Sequence, residues 1–372
     1  MQTLAPKIIG IVCGVAWLAL TADARSAELT SPPAPELQVK PFRTFGTGKA
    51  DASVDAINPP DGLAFTKEGL LVATDAMNHR IQIFNPRTGE HMGHAGEANL
   101  ITGVIVNVIS LPDDTLLASD ETANQAYFFE KAADAETGYR LSGKPLLKAD
   151  GFTKLNGLAC DSSKRIYAVN GKKGYVRRYL PDFKPDPAWK FQPDKPVLNR
   201  SEGIAIDERS GTLFLTSEWE GIIYAFNLDT GQWLGKAIGR QADALGKPLG
   251  QSVFQRSVEG LAVMDDYLLA VDEGSDDLSA NSTGHLLIFD LRSPALYETG
   301  AEQCRFRMKL GAAEGLAGWF GSYRSSDAVA VFSGNGNTEA MVAVADQAAY
   351  RVLVYYWKDV KEALRQCKKQ FH

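Results

Sequence analysis

The sequence predicts an all-β protein, a six-bladed β-propeller whose ring is closed by a strand from the N-terminal side. Three observations support this prediction. A pattern of two short apolar strands, with a polar residue at each end, recurs six times at intervals of 46 to 57 residues, which is the length of one propeller blade. A third apolar strand follows in most copies. Helical periodicity is scarce outside the C-terminal segment WKDVKEALRQC, so helices are not expected to build the core.

The six copies begin and end at polar residues. In chain order they span Asp61–Asp75, Asn107–Asp120, Asn156–Asn170, Glu202–Glu218 and Glu259–Glu273, and the sixth opens at Glu314 and closes at Asp346 and Gln347. Third strands are expected at RIQIF, AYFF, YVRRY, IIYAF, HLLIF and RVLVYYW. Because the first copy starts only at Asp61, the preceding segment QVKPFRTFG is free to pair as the outer strand of the last blade. Such pairing removes an exposed sheet edge.

The N-terminal residues have the features of an export signal: Lys7, an apolar run from Ile8 to Leu20, and alanines at 22 and 24. We therefore expect a signal peptide over residues 1–24, a flexible tether over 25–37 and the propeller over 38–372. The mature protein is expected to be periplasmic or secreted, with no membrane segment after signal removal. The formal net charge of −6 without a basic stripe argues against a nucleic-acid partner.

Three cysteines remain after signal removal, in a compartment where disulfides form. We favour a bond between Cys304 and Cys367, and we expect Cys160, in a strand-like run, to be a small buried apolar residue.

The polar ends of the strands are predicted to meet at one mouth of the central channel. If the first strand of each copy is innermost and the second is antiparallel to it, both ends of each pattern lie at that mouth. The leading residues are Asp61, Asn107, Asn156, Glu202, Glu259 and Glu314, and the closing residues are Asp75, Asp120, Asn170, Glu218, Glu273 and Asp346. All are carboxylates or amides. Hard cations select oxygen ligands, and calcium tolerates irregular arrangements, so calcium is the expected metal.

Turn formation is the competing explanation for part of this set, since short acidic and amide side chains bond to nearby backbone N–H groups. We favour that structural role for Asp75, Asp120 and Asn170. Glutamate is a poorer turn former, so metal binding is favoured for Glu202, Glu218 and Glu259, and both roles stay open for Glu273 and Glu314. Lys172, in the loop NGKKGYVRRY, is expected either to contact an anionic ligand or to be solvated.

Three stretches resemble the β-propeller phytases: SEGIAIDERSGTLFLTSEWEGIIYAF, VEGLAVMDDYLLAVDEGS and MVAVADQAAYRVLVYYWKDVKEAL. Looser similarity covers the chain from about Asp61 to the end, and the Asp-Gly start is also similar to NHL-repeat propellers. Phytases of this family are secreted calcium-dependent phosphatases with six blades. The resemblance implies calcium ligands at Asp61, Glu202, Glu218 and Glu259. It also places Glu273 where the family has a glutamine, and Lys172 where the family has a phosphate-contacting lysine.

The sequence also departs from the family pattern. Asn156 stands where the family has a calcium-binding tyrosine, and Ser257 stands where it has an aspartate. The phosphate-clamping arginine is replaced by the acidic stretch ASDETANQ, and the first-blade lysine has no clear counterpart in TDAMNHR. A clamp that lacks two cations binds polyphosphate weakly, so these departures favour an altered substrate.

The sequence therefore predicts an exported calcium-dependent phosphoester hydrolase, a phosphoric monoester hydrolase of the 3-phytase type, acting on a small anionic phosphate ester. Metal-activated water would replace a side-chain nucleophile. Two alternatives stay open: another metal-dependent propeller hydrolase of lactonase type, and a non-catalytic propeller that binds a partner and is stabilised by calcium.

Overall fold

A computed structural model confirms the predicted six-bladed β-propeller. It describes residues 36–37, 39–96, 100–135, 137–146, 151–191, 196, 198–254, 257–273, 284–298, 305–309, 328–336 and 338–370. Six antiparallel sheets follow one another along the chain, and within each sheet the strands neighbour one another in sequence order. The predicted signal peptide and nearly all of the predicted tether lie outside the described residues.

The first three blades contain eleven strands. Blade one consists of β3 (Leu63–Phe65), β4 (Leu71–Asp75), β5 (Arg80–Asn85) and β6 (Glu90–Ala95). Blade two consists of β7 (Ile105–Ser110), β8 (Leu116–Asp120), β9 (Gln125–Lys131) and β10 (Tyr139–Leu146). Blade three consists of β11 (Leu155–Cys160), β12 (Ile166–Asn170) and β13 (Tyr175–Tyr179). In every one, the first strand is the innermost, as the sequence predicts.

The other three blades follow the same order. Blade four consists of β14 (Ile204–Asp207), β15 (Thr212–Ser217), β16 (Ile222–Asn227) and β17 (Trp233–Ile238), followed by a ribbon of β18 (Gln241–Ala242) and β19 (Pro248–Leu249). Blade five consists of β20 (Val258–Met264), β21 (Tyr267–Asp272), β22 (His285–Asp290) and β23 (Arg305–Lys309). Blade six consists of β24 (Val329–Phe332), β25 (Met341–Asp346) and β26 (Arg351–Tyr356).

Two strands from the N-terminal side complete the ring. Strand β2 (Arg43–Phe45) pairs antiparallel with β26, with Phe45 opposite Val352, which confirms the predicted closing strand. Strand β1 (Glu36–Leu37) pairs parallel with β23 of blade five, a pairing that the sequence did not predict. The last two residues of the predicted tether thus belong to a sheet, because the buried side chain of Leu37 packs in the core of blades five and six.

The glycines that follow Asn156 and Glu202 are required by the close approach of neighbouring inner strands. A Cβ atom at Gly203 would lie 1.8 Å from the carbonyl oxygen of Glu259 in the next blade, and one at Gly157 would lie 2.0 Å from that of Glu202. No side chain fits at such distances. The repeated glycine therefore lets the leading residues of adjacent blades come together at the mouth.

The sixth copy is a correction to the sequence analysis. Its inner strand is β24, beginning at Val329, and Glu314, with the EGLAGW stretch, lies outside the described residues. In blade six, the N–H of Ala345 donates to the carbonyl of Ala328. The equivalent bond in blade four runs from the N–H of Thr216 to the carbonyl of Gly203. Ala328 thus takes the glycine position, and the change from glycine hid this copy in the sequence.

Among the described residues, two α-helices stand outside the sheets, α1 (Ala295–Glu298) and α2 (Trp357–Gln370). Helix α2 buries Trp357 and Leu364 against blades five and six, and the Trp357 Nε1 donates to Asp265 Oδ2 at 2.6 Å. Within the described chain, no helix combines the length and apolar character needed to cross a bilayer. The predicted disulfide of Cys367, on α2, is wrong for this structure, because Cys367 is a buried cysteine with a free thiol.

We expect Gly203→Ala to lower the free energy of unfolding by about 3 kcal/mol, because its Cβ forces blades four and five apart. The measurement is urea unfolding followed by circular dichroism. Gly211→Ala is the control: its φ is +63° with open space around it, so it reports backbone strain alone, about 1 kcal/mol. Equal losses in the two variants would contradict the close-approach explanation.

Candidate functional site

One backbone hydrogen bond recurs at the mouth in five described blades, and we call it the mouth hydrogen bond. The residue after the second strand donates its N–H to the carbonyl of the residue two places before the leading position. In blade two the leading position is held by Val106 and not by the predicted Asn107, because Asn107 pairs with Ser119, one residue before the end of β8. The pairs are Ala76 to Pro59, Glu121 to Val104, Gly171 to Lys154, Glu218 to Arg200 and Glu273 to Ser257, at 2.9 to 3.3 Å. This bond places both side chains of each pair at the rim of the channel.

The register corrects the predicted second ring. The closing residues occupy two structural positions, because Asp75 ends β4 whereas Glu218 follows the last residue of β15, Ser217. Asp75 therefore corresponds to Ser217, and Glu218 corresponds to Ala76. By the same register Glu121 corresponds to Glu218 and Glu273.

The earlier of these two positions serves the fold. Asp75 is fully buried and accepts hydrogen bonds from Arg80 Nε at 2.6 Å and from the Asn58 N–H at 2.7 Å. Asp120 accepts bonds from the N–H groups of Thr122 and Ala123. These contacts support the structural role that the sequence analysis favours for both aspartates.

At the rim, cationic and acidic side chains from three consecutive blades form an ionic chain. Lys154 Nζ lies 2.8 Å from both Glu121 Oε2 and Glu202 Oε1. Arg200 Nε lies 3.1 Å from Glu202 Oε1 and 2.9 Å from Glu218 Oε2. Each cation therefore serves two carboxylates, and Arg200 lies between the two glutamates of the Glu202–Glu218 hairpin. Burial raises the pKa of Glu202, but Lys154 and Arg200 outweigh it and hold this pKa below its usual range.

Two further glutamates, Glu259 and Glu273, lie in blade five next to this ionic chain. Glu218 and Glu259 are both buried. Burial and the neighbouring Glu202 carboxylate raise the pKa of Glu218 to about 7. Glu273 is also buried, and its carboxylate accepts a hydrogen bond from the Ser257 hydroxyl. The structure thus brings Glu202, Glu218, Glu259 and Glu273 together at the predicted mouth.

The ionic chain borders a cavity of about 300 Å³ inside the ring of inner strands, which we call the channel cavity. Its walls are apolar strand residues such as Leu63, Ile204 and Leu261. Its polar lining consists of Asp61, Asn107, Glu121, Lys154, Asn156, Arg200, Glu202 and Glu259. A small ligand that enters would therefore meet both cations and several carboxylates.

The remaining predicted site residues are distributed differently. Asp61 lines the cavity and accepts a hydrogen bond from Gln347. Lys172 is exposed in the turn between β12 and β13 and is not part of the cavity lining. Glu314 lies outside the described residues.

Sequence reasoning missed Glu121, Lys154 and Arg200. A recognisable pattern exists for each of them: Lys154 and Arg200 stand two residues before the leading Asn156 and Glu202, and Glu121 directly follows Asp120. All three positions lie just outside the repeated pattern, which runs from each leading residue to its closing residue.

In the described structure, two of the predicted calcium ligands, Glu202 and Glu218, contact cationic side chains. Among the residues that the structure describes, no group of three or more Asp, Glu, His or Cys side chains is placed to hold a metal ion. The Glu202 carboxylate is paired with Lys154 and Arg200 instead. Calcium binding therefore stays a prediction.

No protein-family model matches the chain, and no curated protein is similar to it in sequence. Solved structures share its fold. The PQQ-bound aldose sugar dehydrogenase from Streptomyces coelicolor is 19% identical with a TM-score of 0.56, and the match covers 87% of this chain and 99% of that chain. A streptogramin B lyase is 10% identical with a TM-score of 0.52, covering 84% and 97%. A protein of unknown function from Bacteroides thetaiotaomicron is 11% identical with a TM-score of 0.56, covering 86% and 75%. At these identities the similarity establishes the propeller fold alone.

We expect Arg200→Ala to lower the free energy of unfolding by about 3 kcal/mol, because it leaves the buried Glu218 without its cation. Adding Glu218→Gln to this variant should recover at least half of the loss, since the second change removes the unpaired charge. Urea unfolding of the two single variants and the double variant measures the coupling. Lys172→Ala, at an exposed cation, is the control and should change stability by less than about 0.5 kcal/mol. Strictly additive effects would show that the two side chains are not coupled.

Proposed function

We propose that the chain is an exported hydrolase that acts on a small uncharged carbonyl compound, an ester or a lactone, in the channel cavity. The observation that supports this proposal is the convergence of Lys154 and Arg200 on Glu202 in the cavity wall. It joins two hydrogen-bond donors with fixed positive charge to a carboxylate in a partly buried setting. Such a combination supplies both the charge stabilisation and the proton acceptor that ester hydrolysis needs.

The proposed roles follow from position. Lys154 and Arg200 would donate to the carbonyl oxygen and stabilise the negative charge that develops on it when water attacks. Glu202 and Glu259 both line the cavity and would accept a proton from the attacking water. The low-dielectric walls formed by the inner strands strengthen these charge interactions.

The charge balance of the site favours an uncharged substrate. Six carboxyl groups and two cationic side chains meet in this part of the described chain. The carboxyl groups are Asp61, Glu121, Glu202, Glu218, Glu259 and Glu273. A phosphate ester would bring further negative charge into this surrounding, which costs free energy unless additional cations enter with it. A lactone or a neutral ester carries no such cost.

A calcium-dependent phosphoester hydrolase is the second candidate. Its support is that Glu202, Glu218 and Glu259, the ligands implied by the phytase resemblance, lie together at the mouth. Calcium would have to displace Arg200 from between Glu202 and Glu218. The positive charge of calcium would then offset the repulsion between these carboxylates and a bound phosphate group.

We expect the purified mature protein to hydrolyse δ-lactones or aryl acetates at a rate that is unchanged by calcium or by chelator. Glu202→Gln should lower kcat/KM by roughly 100-fold, because it removes the proton acceptor. Lys172→Ala should leave turnover unchanged, since Lys172 lies outside the cavity lining. The measurements are lactone opening followed by a pH indicator, and phosphate release from phytate and an aryl phosphate.

Two outcomes would overturn this proposal. Phosphate release that requires calcium and is lost in Glu218→Ala would establish the second candidate. No turnover of any of these substrates by folded protein would favour a propeller that binds a ligand without chemistry. Thermal unfolding of every variant is the control for folding.

A further inference from the structure

Two side-chain amide groups in the cavity wall have no hydrogen-bond partner within the described chain. They are the Nδ2 group of Asn156, a residue that is only 5% exposed, and the Oδ1 atom of Asn107. Both residues line the channel cavity. Buried polar groups in native proteins are nearly always paired, so an unpaired donor beside an unpaired acceptor requires an explanation.

The two amides lie on either side of the boundary between blades two and three. Asn107 on β7 is opposite Ser119 on β8, and the Ser119 hydroxyl donates to the backbone carbonyl of Asn156 on β11 at 2.6 Å. Ser119 therefore links the strands that carry both asparagines. Rotation about the Cβ–Cγ bond reorients either amide at little cost, because that torsion is broad.

The hydrogen-bonding character of this wall identifies the ligand class. Asn156 offers a donor and Asn107 an acceptor, and beside them Lys154 donates while Glu121 and Glu202 accept. A hydroxyl group both donates and accepts, so several hydroxyls on one molecule match this alternation. A phosphate group offers acceptors only and would leave Asn107 and the carboxylates unpaired. An ammonium group offers donors only and would leave Asn156 unpaired.

We infer that the wall between blades two and three is a subsite for the hydroxyl groups of a neutral, polyhydroxylated, sugar-like ligand. In this subsite the Asn156 amide donates to a ligand oxygen, and Asn107 accepts from a ligand hydroxyl. The inference deepens the proposed function, since the substrate would then be a hydroxylated lactone or ester. Binding to the subsite does not itself require hydrolysis.

The test compares two lactones of the same ring size, D-glucono-1,5-lactone and δ-valerolactone, on the wild-type protein and on Asn156→Leu. We expect Asn156→Leu to lower kcat/KM about tenfold for the hydroxylated lactone and to leave δ-valerolactone unchanged, because one hydrogen bond to the ligand is lost. Val106→Ala is the matched control. Val106 lines the same cavity and holds the position in blade two that Asn156 holds in blade three, so its truncation should affect both lactones alike.

Stability separates a ligand contact from a structural role. Asn156→Leu removes an unpaired buried polar group and keeps the side-chain volume, so the Tm should stay equal or rise. A lower Tm would show that Asn156 supports the fold and would overturn the inference. An unchanged preference between the two lactones would overturn it as well, while leaving the proposed hydrolase intact.

A binding measurement covers the case in which no lactone is hydrolysed. Ligand-observed NMR with D-glucose, and with tetrahydropyran as the unhydroxylated control, then reports on the subsite alone. Saturable binding of D-glucose that is weakened about tenfold by Asn156→Leu would support the subsite even though the proposed chemistry had failed. Absence of D-glucose binding to the wild-type protein would overturn it.

Discussion

The close approach of neighbouring inner strands is the constraint on which the rest of this propeller depends. Apolar side chains between adjacent blades favour the approach, and glycine permits it, because the carbonyl oxygen of the next blade leaves no room for a Cβ at Gly157 or Gly203. The mouth hydrogen bond then aligns two further positions in five of the described blades. Side chains as distant in sequence as Glu121 and Glu259 therefore meet around one small cavity.

Because these carboxylates lie close together they repel one another, and cationic side chains of the same protein offset much of that repulsion. Carboxylates that are brought out of water and close together repel one another, and burying an unpaired charge costs several kcal/mol. Lys154 and Arg200 each contact two carboxylates, so two cations stabilise the three acids Glu121, Glu202 and Glu218. The remaining excess of acid is what distinguishes the two candidate substrates. A neutral molecule tolerates it, whereas a phosphate ester needs a metal ion to compensate.

The mouth contains two kinds of side chain with different proposed roles. The ionic chain provides strong, fixed charges that suit bond polarisation and proton transfer. The amides of Asn107 and Asn156 are uncharged, and the Asn107 Oδ1 and Asn156 Nδ2 atoms have no hydrogen-bond partner among the described residues, which suits the recognition of hydroxyl groups. The two asparagines lie on inner strands, and the residues of the ionic chain lie in short segments at the ends of strands, so the sheets hold their backbones in place.

The sequence by itself determined the number of blades, the closing strand and the meeting of Glu202, Glu218 and Glu259 at one mouth. These follow from strand period and repeat length, which are local properties that a chain displays without folding. Only the tertiary structure decided how those acids are compensated, because Lys154 and Arg200 reach them through strand register and through blades whose residues lie far apart in sequence. The tertiary structure also decided where the sixth inner strand begins, since an alanine stands there at the position that glycine occupies in other blades. Two adjacent positions at the end of the second strand differ in role, because an acid at the first supports the fold and an acid at the second reaches the rim. Strand register decides which residue takes which position, and register is set by packing between whole blades.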